Sequence, residues 1–196
     1  MRNDDVVTVR RTDYLPPSWQ IEAIELEFDL DPERTVVTAT SVITRQGAGS
    51  AGPLTLDGED LELLGIEIDG RPLPTDAYAV HRDRFTLRLR NAVAPHANSE
   101  LMGLYVSHDN FFTQCEAEGF RRITYFTDRP DVMATYTVTL RADAKRYPVL
   151  LANGNLVAQG QLPDGRHWAR WQDPFPKPSN LFAVVAGRFV CQEEKF

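Results

Sequence analysis

From Ile24 to Leu30 every second residue is apolar: Ile24, Leu26, Phe28 and Leu30 point one way, Glu25, Glu27 and Asp29 the other. That is the period-two pattern of a half-buried strand. Asp31-Pro32-Glu33-Arg34 interrupts it with turn-forming residues, and the β-branched run Thr35 to Thr44 follows, so the two segments predict a hairpin. The same reading predicts strands at Leu54–Leu56, Leu61–Ile68, Tyr78–Val80, Phe85–Arg90, Leu101–Ser107, Ala134–Ala142, Val149–Leu151, Val157–Gln161, His167–Gln172 and Leu181–Val190. Within Leu61–Ile68 the apolar parity changes between Leu63 and Ile66, beside Gly65, which predicts a bulge or tight bend. Turn signals fall between these runs at Asp69-Gly70, Asn153-Gly154-Asn155 and Pro163-Asp164-Gly165. Strands spaced at about ten residues predict an all-β sandwich or barrel with antiparallel pairing.

Two stretches break the pattern. Glu116 to Met133 lacks alternation and carries Asp128-Arg129-Pro130-Asp131, so a loop with at most one or two short helical turns is expected there. Asp173-Pro174-Phe175-Pro176-Lys177-Pro178 is expected to be a semi-rigid extended connection and not central strand, because proline has no donor for a ladder. No repeat or linker divides the chain. Residues 1–12 read as a poorly ordered end, and 13–196 as a single β domain.

Composition narrows the class. The chain has 196 residues with 42% hydrophobic and 25% charged content, values of an ordinary globular protein with enough chain for a core. A formal net charge of −7 offers no basic footprint, so nucleic acid is not an expected partner. No run approaches the ~18 apolar residues of a membrane helix and the first residues lack a signal-peptide core, so no membrane association and a cytoplasmic location are expected. Cys115 and Cys191 are too few and too far apart for a disulfide framework and are expected to be buried free thiols. His81, His96, His108 and His167 include no i, i+4 pair, so no zinc centre is expected within this chain and the histidines read as structural. No Gly-x-Ser-x-Gly, Cys-x-x-Cys or phosphate-cradling glycine loop is present.

Polar side chains concentrate at Thr113-Gln114-Cys115-Glu116-Ala117-Glu118-Gly119-Phe120-Arg121-Arg122, in the long irregular segment. Loops on rigid sheets are where binding residues gather. The competing reading is a solvated loop in which Glu116, Glu118, Arg121 and Arg122 pair locally. Trp168 and Trp171, three apart on one strand, should point to opposite faces, with at least one in the core.

The string Gln114-Cys115-Glu116-Ala117-Glu118-Gly119-Phe120-Arg121, followed by Ile123-Thr124-Tyr125-Phe126 and Asp128-Arg129-Pro130-Asp131-Val132, closely resembles the N-terminal domain of the bacterial aminopeptidase N family, which are zinc metallopeptidases. Three more blocks agree in order: Tyr14 with Phe28-Asp29-Leu30 and Thr35-Val36-Val37, then Leu151-Ala152-Asn153-Gly154-Asn155, then His167-Trp168 through Trp171-Gln172-Asp173-Pro174-Phe175-Pro176-Lys177-Pro178. The resemblance runs from about Tyr14 to Phe189. It implies a saddle-shaped, mostly antiparallel β-sandwich or open barrel that caps a downstream catalytic domain. It assigns Gln114 and Glu116 to the free α-amino group of a peptide substrate. It also implies zinc in the full-length enzyme, with its ligands outside this chain.

The family's His-Glu-x-x-His and Gly-Ala-Met-Glu-Asn motifs, which belong to the following domain, do not occur in this sequence. The expectation is therefore an excised N-terminal domain with no catalytic residues of its own and no activity alone. Its partners would be its own catalytic domain and peptides with a free N-terminus. Two alternatives stay open at this point: a stand-alone β-sandwich interaction module, and a non-catalytic aminopeptidase-like scaffold. Thr127, where relatives usually carry a bulky apolar residue, is expected to affect packing only.

Overall fold

The computed structural model describes residues 10–47, 52–73 and 82–194; the expected strand Tyr78–Val80, His81 and residues 1–9 of the expected frayed end lie outside the described residues. Among the described residues the chain forms β1 (Trp19–Asp29), β2 (Thr35–Arg45), β3 (Glu62–Ile68), β4 (Arg71–Pro72), β5 (Arg84–Val93), β6 (Gly103–Ser107), β7 (Asn110–Gln114), β8 (Met133–Asp143), β9 (Val149–Ala152), β10 (Asn155–Gln161), β11 (Arg166–Pro178) and β12 (Val184–Gly187). Its helical segments are single 3₁₀ turns. Eight strands make one sheet in the order β10-β11-β8-β1-β2-β5-β3-β4, and four make a second in the order β6-β7-β12-β9. The all-β expectation holds.

The first hairpin is built as its sequence suggests. Asp31 accepts the backbone N–H groups of Glu33 and Arg34 at 2.9 and 3.0 Å, closing the turn between β1 and β2. The apolar row of β1 begins earlier than the clean alternation, at Trp19 and Ile21, and a bulge between Ile21 and Ala23 resets its parity so that Ile24, Leu26 and Phe28 stay inward. A second bulge sits between Leu63 and Gly65 in β3, where the parity change had suggested one. These inward rows join Val37, Ile43, Leu87, Tyr136, Val138 and Leu140 in one core. Fully burying side chains of this size contributes roughly 1.5–3 kcal/mol each before entropy is counted.

Pairing is not antiparallel throughout. β1 and β8 lie parallel, with Ala23 opposite Thr135 and Asp29 opposite Arg141. The acidic face of β1 meets arginines from β8 beside it and from β11 one strand further on: Glu27 pairs with Arg141 at 2.6 Å, Glu25 with Arg170 at 2.8 Å and Asp29 with Arg166 at 3.3 Å. Cross-strand charge pairs favour this order over one that sets acids against acids.

Several expectations are corrected. Leu54–Leu56 forms no strand; the neighbouring contact is a lone bridge between Asp57 and Phe126. Asp173–Pro178, expected to be a semi-rigid extended connection and not central strand, is instead the end of β11, paired on one side only: Asp173 faces Tyr136 and Lys177 faces Ala134, so residues 174–176 bulge out against a single residue of β8. Prolines are tolerated there because β10 stops at Asn155, opposite Gln172, and beyond it that side of β11 has no ladder to serve. Cys115 is buried, whereas Cys191, expected to be buried too, is exposed on the chain after β12. Trp171 packs against the core and donates to the Leu150 carbonyl, while Trp168 covers Gly160, where a Cβ would lie 2.9 Å from the indole nitrogen.

Candidate functional site

β6 and β7 form a hairpin that ends with Gly103 opposite Gln114, so Gln114 is the last residue held by a ladder before the chain enters the irregular segment. The extended alternation carries two residues further. Cys115 turns into the core while Gln114 and Glu116 are exposed, so the two expected site residues share the side away from the thiol. Burial pushes the Cys115 thiol up to about 12, helped by the Asp128 charge, so it stays neutral and inert.

Gln114 Nε2 donates to the Glu116 carbonyl at 2.6 Å, which orients the amide and leaves its Oε1 without a partner among the described residues. The Glu116–Ala117 peptide is cis and Glu118 has φ of 69°. Gly119 N–H returns to the Cys115 carbonyl at 3.0 Å, and a Cβ on Gly119 would lie 2.2 Å from the Gln114 carbonyl oxygen. Only glycine closes the loop this tightly.

Behind the loop the chain is far from solvated. Phe120, Ile123 and Phe126 are fully buried; the Phe120 ring packs edge-on against Phe126 at 4.9 Å and Phe182 at 5.1 Å. Asn91, itself buried, donates to the Ile123 carbonyl at 2.9 Å and accepts from Thr124 Oγ1 at 2.8 Å. Thr127 Oγ1 donates to the Thr55 carbonyl at 3.0 Å, so its role is a hydrogen bond as well as packing. The irregular segment is thus a packed wedge, which corrects the picture of a solvated loop.

Local charge pairing is selective. Arg121 pairs with Asp128 at 3.1 Å and reaches Glu118 at 3.5 Å; Arg122 pairs with Glu59 at 2.9 Å and Asp60 at 2.7 Å. Burial opposes the charge on Arg121, but the Asp128 bond and the surrounding carboxylates hold its pKa above the ordinary arginine value. Glu116 has no ion pair or hydrogen bond to its carboxylate among the described residues, although two arginines lie within six positions of it. The expected local pairing therefore covers Glu118, Arg121 and Arg122 but not Glu116. Asp128, which pairs with Arg121 and accepts from Ser179 Oγ, was visible in the sequence as one of two acids, with Asp131, between Phe126 and Val132, a setting that alternation does not read.

The chemistry available is binding of a cation. An exposed carboxylate without a partner, beside an amide oxygen without one, can accept N–H donors of an ammonium group. The zinc implied by the resemblance fits no set of side chains here: among the described residues no three His, Cys, Asp or Glu converge to hold a metal. His167 Nε2 bonds the Tyr147 carbonyl at 2.7 Å, His96 sits 3.2 Å from Glu33, and His108 bonds Ser107. Among the described residues no helix is long and apolar enough to cross a membrane.

The chain is 52% identical to aminopeptidase N of Escherichia coli (strain K12) over 193 residues, 95% of this chain and 22% of that protein. It is 50% identical to aminopeptidase N of Caulobacter vibrioides over 205 residues, all of this chain and 24% of that protein, so it spans about a quarter or less of these relatives' length. A crystal structure of Legionella pneumophila aminopeptidase A in complex with aspartic acid superposes with a TM-score of 0.82 at 32% identity, covering 90% of this chain and 22% of that one. A family model described as the peptidase M1 N-terminal domain matches residues 83–181, half of the chain and the part that includes β5 to β11 and the Gln114–Glu116 loop. This chain belongs to the peptidase M1 N-terminal domain family.

Proposed function

We propose that this chain is the N-terminal domain of a cytoplasmic, zinc-dependent aminopeptidase that removes N-terminal residues from peptides, and that Gln114 and Glu116 hold the substrate's α-amino group. A peptide α-amine has pKa about 7.7–8.0 and is mostly cationic at neutral pH. A carboxylate and an amide oxygen two residues apart on an extended backbone suit its N–H donors. The observation that carries the reading is Glu116 itself, left unpaired on a wedge where the neighbouring arginines are committed to other carboxylates.

Fixing the amine selects which carbonyl is presented to the catalytic groups, because only the first peptide bond lies at a set distance from it. The domain supplies this binding contact and no bond-breaking chemistry; the metal and the catalytic residues belong to the protein outside this chain. The test uses the full-length enzyme. Glu116→Ala removes one side of a charge-assisted contact, at a cost on the order of 2–5 kcal/mol, so kcat/KM on an alanyl peptide falls roughly thirty-fold or more. Gln114→Ala removes a neutral acceptor and costs about 0.5–1.5 kcal/mol. Wild-type kcat/KM in Glu116→Ala, or greater damage from Cys115→Ala, would overturn the assignment.

A further inference from the structure

Asp128 touches neither Gln114 nor Glu116, yet three of its bonds go to Arg121, at the end of the loop that carries them. Its side chain is 3% exposed. Ser179 Oγ donates to one carboxylate oxygen at 2.5 Å; the Arg121 backbone N–H and Nε donate to the other at 3.2 and 3.1 Å. Arg121 in turn donates from its terminal nitrogen to the Asp128 carbonyl at 3.2 Å, and Glu118 lies at the same nitrogen, 3.5 Å away. Asp128 N–H is itself fixed by Asp57 Oδ2 at 3.0 Å. Ser179 comes from a distant part of the sequence, delivered by the proline-rich end of β11 immediately before it, where Pro178 faces Met133. Two motifs that the amine contact leaves unused, Asp128-Arg129-Pro130 and Asp173 to Ser179, meet at this carboxylate.

We propose that Ser179, Asp128 and Arg121 form a positioning chain for the amine anchors: Asp128 holds Arg121 at both its backbone and its guanidinium, which fixes the loop end after Gly119 and keeps that cation off Glu116. The proposal rests on the assignment of Gln114 and Glu116 to the substrate amine. A partly buried guanidinium that loses its closest counter-charge must find another, and besides Asp128 the carboxylates of Asp57 and Glu118 already act on this one. On its own loop the next carboxylates are Glu118 and then Glu116, and a Glu116 paired with Arg121 no longer accepts from a substrate ammonium. The effect is on recognition of one group, the amine, and not on the domain as a whole.

The experiment compares, in the full-length enzyme, inhibition by a competitive dipeptide with a free α-amine and by its desamino analogue; the ratio of the two affinities reads amine recognition alone. Asp128→Asn keeps the shape and removes the charge. It should lower the ratio about tenfold, as expected for a contact displaced but not deleted, with affinity for the desamino analogue unchanged within about twofold. Ser179→Ala, which removes one of three bonds to the carboxylate, should lower it less. Arg121→Lys keeps the charge, loses the fork and should lower the ratio in the same direction; where Asp128→Asn folds poorly by circular dichroism, this variant decides. Equal losses for both inhibitors would mean a merely structural role and overturn the proposal, as would a wild-type ratio in folded Asp128→Asn and Arg121→Lys. Glu116→Ala separates the two readings: a wild-type ratio there overturns the amine assignment and the positioning chain with it, whereas a lowered ratio beside an unmoved Asp128→Asn overturns the positioning chain alone.

Discussion

The strand β10 and the segment from Phe120 to Val132 are opposites. β10 is held by a strand ladder, interrupted by one bulge between Leu156 and Ala158, lies at the edge of the eight-stranded sheet with β11 alone beside it among the described residues, and leaves Leu156 and Val157 exposed. The Phe120–Val132 segment has no strand beyond a lone bridge, yet Phe120, Ile123, Thr124, Phe126 and Val132 are fully buried. Its backbone groups are met by side chains and short turns instead, with Asn91 on the Ile123 carbonyl and Asp128 on the Arg121 N–H. Regular hydrogen bonding and burial are thus separate properties, and the second makes a platform rigid. A binding loop rooted in a buried wedge can hold an exposed carboxylate in place without pairing it.

That contrast is open to breakage. Phe120→Ala, which removes a ring enclosed by Phe126, Tyr136 and Phe182, should cost about 3–5 kcal/mol in urea unfolding. A cost under about 1 kcal/mol would mean the wedge repacks freely and is no platform. Alkaline titration sharpens the same point at Cys115, whose thiol moves from its ordinary value of 9.0 to about 12 on burial. An acid raised by folding stabilises fully below its unfolded pKa, so stability should fall between about pH 9 and 12 by up to about 1.4 kcal/mol per pH unit. Tyr136, raised by burial as well, adds to that loss. Cys115→Ala should make the decline shallower, and an unchanged slope would remove the thiol from the account. The smallest effect is expected at the sheet edge: Val157→Ala on β10, an exposed side chain at the bulge, should stay within about 0.5 kcal/mol in the same unfolding assay, and a larger loss would show that the edge is covered.

The legible parts of the fold were those where one face is wet and one dry. β1, β2 and β5 announce themselves through alternation, and the Gly65 bulge through a change in it. β7 was missed because Phe111 and Phe112 are adjacent, one against Tyr147 and the other between Tyr105 and Phe189, so no alternation shows. The end of β11 is extended and not central strand, as its prolines imply, but it stays in the sheet as an edge segment, because proline vetoes pairing only where both sides of a strand are paired. Cys191 was misplaced by the general habit of free cysteines, which says nothing about a chain that has already left its last strand. At the site, the residue types and the two-residue spacing of Gln114 and Glu116 were readable. The buried support was not, because Asp128 and Ser179 are 51 positions apart and meet only once β11 is in place.

The parallel pair of β1 with β8 bears on how the molecule comes into being. β1 finds its first neighbour, β2, within a few residues, but its second only when Met133–Asp143 exists, more than a hundred positions later, since Ala23 faces Thr135. While the chain emerges from the ribosome, β1, β2, β5 and β3 can therefore assemble as an antiparallel sheet whose β1 edge stays unsatisfied. Every chain passes through that interval with one side of Ile24-Glu25-Leu26-Glu27-Phe28 open to strangers. The acidic row later matched by arginines of β8 and β11 is, until then, an unmatched charge that repels a second copy of itself, so the same residues guard the nascent edge and afterwards fix its neighbour.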